Sequence, residues 1–123
     1  MWKSDEMILE DIDRHRDETK RGLDAVDAVS RKLDSLDEEI EASIELRRKR
    51  ADIIYECWSG PAAYRDFEEE LAACDLDLQE ARRASEQIRE NVRNEERHLR
   101  SSKENLDAEA ERIKRLKKED HNV

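Results

Sequence analysis

Gly60 and Pro61 stand side by side near the midpoint of the chain and are almost its only punctuation. The 123 residues hold one other glycine, Gly22, and no other proline. Glycine and proline are the strongest local breakers of regular structure. A chain broken once, near its middle, reads as two long segments joined by one turn.

The spacing of apolar residues says what those segments are. In the first, one heptad row runs Ile12, Thr19, Val26, Leu33, Ile40, Arg47, Ile54. Its companion row is Ile8, His15, Gly22, Val29, Leu36, Ser43, Arg50. Beyond Ile40 the apolar face drifts to Ile44, Ala51 and Trp58, as a 3.6-residue period does against a strict 3.5 repeat. In the second, the main row is Tyr64, Leu71, Leu78, Ser85, Val92, Leu99, Leu106, Ile113. Its companion is Phe67, Cys74, Ala81, Ile88, Glu95, Ser102, Glu109, Leu116. Alternating spacings of three and four over such a length predict a coiled-coil seam. The expected fold is therefore all-α: one long antiparallel two-helix hairpin forming a single domain. Helix 1 is expected over about 4–58, the turn at 59–60 and helix 2 over about 61–118. Ser4 and Asp5 are candidate N-caps. Pairs such as Asp17–Arg21, Glu45–Lys49 and Glu96–Arg100, acid first at i,i+4, support the helices.

Composition fits a narrow seam better than a globular core. Charged residues make up 47% and hydrophobic ones only 36%, against about 25% charged in an ordinary domain. The formal net charge of −10 argues against nucleic acid as a partner, because affinity for phosphate backbones comes from cationic neutralisation. It argues equally against an anionic membrane surface. No apolar run is long enough to span a bilayer, and Met1 to Glu10 lacks the apolar region of a signal peptide. The expected location is the cytosol, or outside by a route that uses no such peptide.

Seam composition predicts a difference between the two ends. Near the turn it reads as dense, with Ile40, Ile44, Ile54, Trp58, Tyr64, Phe67, Leu71 and Leu78. Far from the turn His15, Thr19 and Gly22 face Glu95, Ser102 and Glu109, and Gly22 alone costs about 1 kcal/mol in a helix interior. The turn end is expected to be rigid and the far end loose, or completed by a partner. Leu46, Ile53 and Cys57 fall about a quarter-turn off the seam of helix 1, and Ala72 and Leu76 off that of helix 2. A second apolar stripe on both arms predicts a partner interface at Leu46, Ile53 and Leu76. The basic run Arg47-Arg48-Lys49-Arg50 spreads around the helix and reads as a solvated face.

Nothing in the sequence looks catalytic, and no cofactor or metal site is expected. His15, His98 and His121 stand at no ligand spacing, and His15 falls on a seam row as a partly satisfied core residue. Carboxylate pairs abound without a cleft to give them meaning. Cys57 and Cys74, expected to be semi-buried, lie on opposite sides of the turn and too far apart to bridge.

Trp58-Ser59-Gly60, followed by Pro61-Ala62-Ala63-Tyr64-Arg65-Asp66-Phe67, is the one specific motif. Trp58 ends the apolar stripe of helix 1 and can cap the seam. Gly60 permits a backbone conformation that a Cβ forbids. Pro61 suits a first helical position, and Tyr64 and Phe67 return to the seam. This arrangement resembles the WXG family of small type VII secretion proteins, helical hairpins with a Trp-any-Gly turn. In length and charge it is more similar to the longer WXG-like proteins that accompany LXG toxins in Gram-positive bacteria. The resemblance covers the architecture of most of the chain, but matches in sequence only around residues 54–71.

That resemblance implies a non-enzymatic partner protein. It would bind the helical N-terminal domain of a toxin, or another small WXG-like protein, or a second copy of itself, and promote export as a targeting factor, chaperone or co-secreted subunit. It marks Trp58, Gly60, Tyr64 and Phe67 as the turn and export motif. The family's Tyr-x-x-x-Asp/Glu signal, normally toward the C-terminus, has its spacing here at Tyr64 and Glu68, where Tyr64 reads as a core residue. Leu116, Asp120 and Val123 resemble a hydrophobic-then-acidic export pattern. The alternative is a structural coiled-coil adaptor with no secretion role.

Overall fold

The computed structural model describes residues 4–58 and 60–121. They form two α-helices, α1 (Asp5–Cys57, 53 residues) and α2 (Pro61–His121, 61 residues), with no strand among the described residues. This is the expected all-α hairpin. Ser4 caps α1: its hydroxyl accepts from the Met7 amide at 3.3 Å and its carbonyl from Ile8 at 3.1 Å. Asp5 and Glu6 then place negative charge in the first turn, where the helix dipole favours it. α1 passes through Gly22 without a break, and α2 runs three residues past its expected end.

The chain divides into two compact units, each built from stretches of both helices. One is Met1–Val29 with Asn91–Val123, the terminal unit; the other is Ser30–Glu90, the turn unit.

Burial bears out the main heptad rows except at their turn ends, Ile54 and Tyr64, and corrects part of their companions. Ile12, Thr19 and Leu33 are buried on α1, and Ser85 and Ile113 on α2. Ile8, Gly22, Phe67, Cys74, Ala81 and Ser102 of the companion rows lie inward as expected, while the other companion positions are displaced by one residue. His15, Val29, Leu36, Ser43 and Arg50 are exposed, and their neighbours Arg16, Ser30, Asp37, Ile44 and Ala51 lie inward instead. On α2 the same shift exchanges Ile88 for Arg89, Glu95 for Glu96, Glu109 for Ala110 and Leu116 for Lys117. An inward row must lie beside the main row on the side facing the other helix. The string of apolar letters does not say which side that is.

In the terminal unit Ile12, Ala110 and Ile113 form a buried cluster, with Ile8, Leu9 and Leu106 packed against it. The far end, expected to be loose or completed by a partner, thus has an apolar cluster of its own. His15 is exposed beside Glu18, at 3.5 Å, and is not a core residue. Thr19 is buried because its hydroxyl donates to the His15 carbonyl at 2.8 Å, which satisfies a polar group inside the seam. Gly22 faces Leu99 rather than an acid. A Cβ built at Gly22 meets both Leu99 methyls at 3.1 Å, so the glycine is a point of close approach between the helices. The Arg16 Nε and Nη2 both donate to Asp107 Oδ1 across the seam, at 2.8 and 2.7 Å.

In the turn unit the expected dense apolar seam holds in part: Ile44 is buried and Ile40, Phe67, Leu71 and Leu78 partly so. The buried residues are Leu33, Ile44, Ala51, Cys74 and Ser85, whereas Ile54, Trp58 and Tyr64 are exposed. Cys74, with no exposed surface, is the most enclosed of them, while Cys57 is exposed and both thiols are free.

Leu99 has no slack for a branched side chain at its Gly22 contact. Gly22→Val should therefore lower stability by about 2 kcal/mol through overpacking, read as a lower urea midpoint. An unchanged midpoint would show that the close approach does not constrain the seam.

Candidate partner-binding site at the turn

The turn is made by backbone geometry. Gly60 has φ of +133°, a region that L side chains rarely adopt, while nothing lies within 4 Å of a Cβ placed there. Glycine is thus required for conformation and not for space. The Gly60 carbonyl accepts the Tyr64 amide at 3.1 Å and so begins α2, with Pro61 in the first helical position, where its missing N–H costs nothing. At the other side the Trp58 amide donates to the Ile54 carbonyl at 3.0 Å. That bond carries the helical path to Trp58 and fixes where its side chain emerges.

Trp58 does not cap the seam. It is 70% exposed, beside Ile54 at 61%. With Ala51 and Tyr55 of α1 and Ala63 and Phe67 of α2 these two side chains line a largely apolar groove of about 450 Å³. Within the lining the Tyr55 and Phe67 rings stack with centroids 4.7 Å apart and planes 24° apart, and Tyr64, outside the groove, tilts against Tyr55 at 5.9 Å. Tyr64 is half exposed and not a core residue. Its hydroxyl bonds the Glu68 carboxylate, and that contact raises the Tyr64 pKa.

Tyr55 was not singled out from the sequence, although it links Tyr64 and Phe67. It lies four residues after Ala51 and eleven after Ile44, both on the displaced inward row. Continuing the row from those two, rather than the one through Ile54, reaches it.

Arginines stitch the helices in both units: Arg16 in the terminal unit, and Arg47, Arg48, Arg82 and Arg89 in the turn unit. Arg47 is a fork: Nε and Nη2 donate to Glu70 Oε1 at 3.1 and 2.9 Å, and Nη1 donates to Asp77 Oδ2 at 2.6 Å. The bonds to Asp77 and then Glu70 push its pKa up from an already basic value. Arg89 Nη2 donates to Asp34 at 2.8 Å and Asp37 at 2.6 Å. Arg48 bonds Asp75, and Arg82 reaches Glu41 at 3.5 Å. Half of the run expected to be solvated, Arg47 and Arg48, is therefore tied to α2, while Lys49 and Arg50 are exposed. The signal for Arg47 was its place on the main heptad row.

Leu46, Ile53 and Leu76 are exposed, as a partner interface requires. They do not share a face. At about 100° per residue, Leu46 and Ile53 lie opposite the inward row of α1, and Leu76 lies opposite that of α2. They occupy the outward backs of different helices, so one partner helix cannot cover all three. Leu116 is half exposed, Asp120 is exposed, and Val123 lies outside the described residues.

Among the described residues no group of three or more His, Cys, Asp or Glu is placed to hold a metal ion. No helix there is long and apolar enough to cross a membrane. Burial pushes the Cys74 thiol pKa up, which disfavours the reactive thiolate.

Two measurements test these environments. A thiol reagent at neutral pH should label Cys57 promptly and Cys74 only on unfolding; equal labelling would mean that Cys74 is not enclosed. The bonds from Arg89 and then Ser85 hold the Asp37 carboxyl below the ordinary carboxylate value. The stability it contributes is therefore complete above that ordinary value and lost as pH falls through the depressed one. A carboxyl NMR titration should find Asp37 low, and Arg89→Gln should return it toward normal. An ordinary value in the unaltered protein would remove the Arg89 contact from the account.

No match to the chain is found among protein-family models, curated proteins or solved structures.

Proposed function

We propose that this chain is a non-enzymatic, WXG-like partner protein of a type VII secretion system. In this reading it binds the helical targeting domain of a larger toxin and promotes its export. The observation that carries the reading is the solvent-exposed Trp58 at a turn whose Gly60 has a positive φ. A tryptophan at a hairpin turn has two uses, to close the core or to be bound. Trp58 covers little of the seam, and tryptophan is the residue most enriched at interface hot spots. The resemblance of Trp58-Ser59-Gly60 to the WXG turn supplies the export setting.

The test is co-purification of the full chain with the products of neighbouring genes, followed by export in the native host. Trp58→Ala should change stability by less than about 0.5 kcal/mol, as exposed substitutions do. Helicity should persist while export of the toxin is lost. Wild-type export from the Trp58→Ala strain would overturn the recognition role. A host with neither a secretion ATPase nor a toxin gene near this one would favour the plain adaptor.

A further inference from the structure

The two flanks of the seam in the turn unit are chemically unlike. The Arg47 fork to Glu70 and Asp77 marks one flank, because its three members share a side of their helices. Helical geometry places Leu36, Ile54 and Trp58 of α1 on that flank, with Ala84 and Ile88 of α2. Leu36 is 51% exposed and Ile88 43%. The other flank is marked by Arg48–Asp75, Arg82–Glu41 and Arg89–Asp34, and α1 adds Glu45 and Asp52 to it. Exposed aliphatic side chains beside the seam thus gather on one flank, while ion pairs dominate the other, where Tyr64 is the exposed aromatic.

The apolar flank has two islands. Leu36 with Ile88 forms one, and Ile54 with Trp58 forms the other, on either side of the Arg47 fork. From Leu36 to Trp58 is 22 residues of α1, on the order of 33 Å at 1.5 Å per residue. One helix of six turns laid beside the seam covers both islands, and its own apolar stripe needs the same three-and-four spacing.

Charge identifies the occupant. The turn unit, Ser30–Glu90, holds ten Lys and Arg against seventeen Asp and Glu, a formal charge of −7. On the apolar flank Arg47 is already bonded to two carboxylates and Asp66 and Glu80 extend an acidic rim along α2, while Lys32 and Arg50 stand at the outer edge of the flank on α1. A second copy would set −7 against −7, whereas a basic helix is attracted to the rim. Resting on the reading of this chain as a partner-binding hairpin, we infer that the flank of Leu36, Ile54, Trp58 and Ile88 seats one amphipathic helix, rich in Lys or Arg beside its apolar stripe, from a different protein.

The probe is a synthetic six-turn amphipathic helix with leucine at heptad a and d positions and lysine flanks, together with its glutamate-flanked twin. Fluorescence anisotropy with the full chain should show the lysine helix binding at least tenfold tighter than the twin. Leu36→Ser with Ile54→Ser, which leaves charge unchanged, should weaken it at least tenfold, with helicity intact by circular dichroism. Leu46→Ser with Ile53→Ser, on the outward back of α1, should leave it unchanged. Equal binding of the twins, or equal loss from both double variants, overturns the proposal. So does a full-chain dimer in sedimentation that the Leu36 and Ile54 variant dissociates, because a second copy then occupies the flank. If the lysine helix fails to bind while a genomic neighbour co-purifies, this seat is wrong and the partner function stands.

Discussion

Two helices packed only on each other leave most of each circumference in water, and the rest of this structure follows from that limit. A seam of this width encloses small or slender groups completely and larger ones only in part. Cys74 and Ala110 are the most enclosed residues named in the core, whereas Leu33, Ile44 and Ile113 each keep a little exposure. Apolar burial supplies stability in proportion to area, so neither unit can draw on it as a globular core does. The two units meet the shortage differently. The terminal unit gathers Ile12, Ala110 and Ile113 with three partly buried neighbours. The turn unit intersperses smaller buried groups with ion pairs.

Arginine is suited to that second solution. Its stem covers apolar surface while its planar head reaches across to carboxylates. Arg47 and Arg89 each bond two acids on the other helix, and two-point attachment fixes the register of one helix against the other more sharply than apolar contact does. Half-exposed pairs of this kind are screened by salt, so their main contribution is register. They also divide the surface. Where they crowd one flank of the turn unit it becomes ionic, and the exposed aliphatic residues beside the seam lie on the other.

Several chemistry-bearing residues could be found in the sequence, but not their surroundings. The Trp58-Ser59-Gly60-Pro61 break was legible because proline and glycine restrict or free the backbone whatever surrounds them. Trp58 itself was misplaced as a cap on the seam, since an aromatic at the end of an apolar stripe has the same spacing whether it turns inward or outward. Tyr55 escaped notice because it is adjacent to Ile54, and only the displaced row distinguishes which of the two faces α2. Leu46, Ile53 and Leu76 were correctly read as off the seam. Their placement on a common partner face required the relative orientation of the two helices, which one-dimensional spacing does not contain.

The sequence by itself determined that the chain is helical, that it breaks once, and which main rows face the partner helix. These depend on local forces: proline and glycine at 60–61, helix-forming residues elsewhere, and a three-and-four repeat that survives along both segments. Only the tertiary structure decided which neighbour of each main row turns inward and which acids each arginine meets. It also decided that Trp58 stands in solvent. Those outcomes depend on the rotation of one helix about its axis against the other, a degree of freedom set by the summed contacts of the seam. A turn of about 100°, one residue's worth, separates Ile54 from Tyr55 and Ile88 from Arg89.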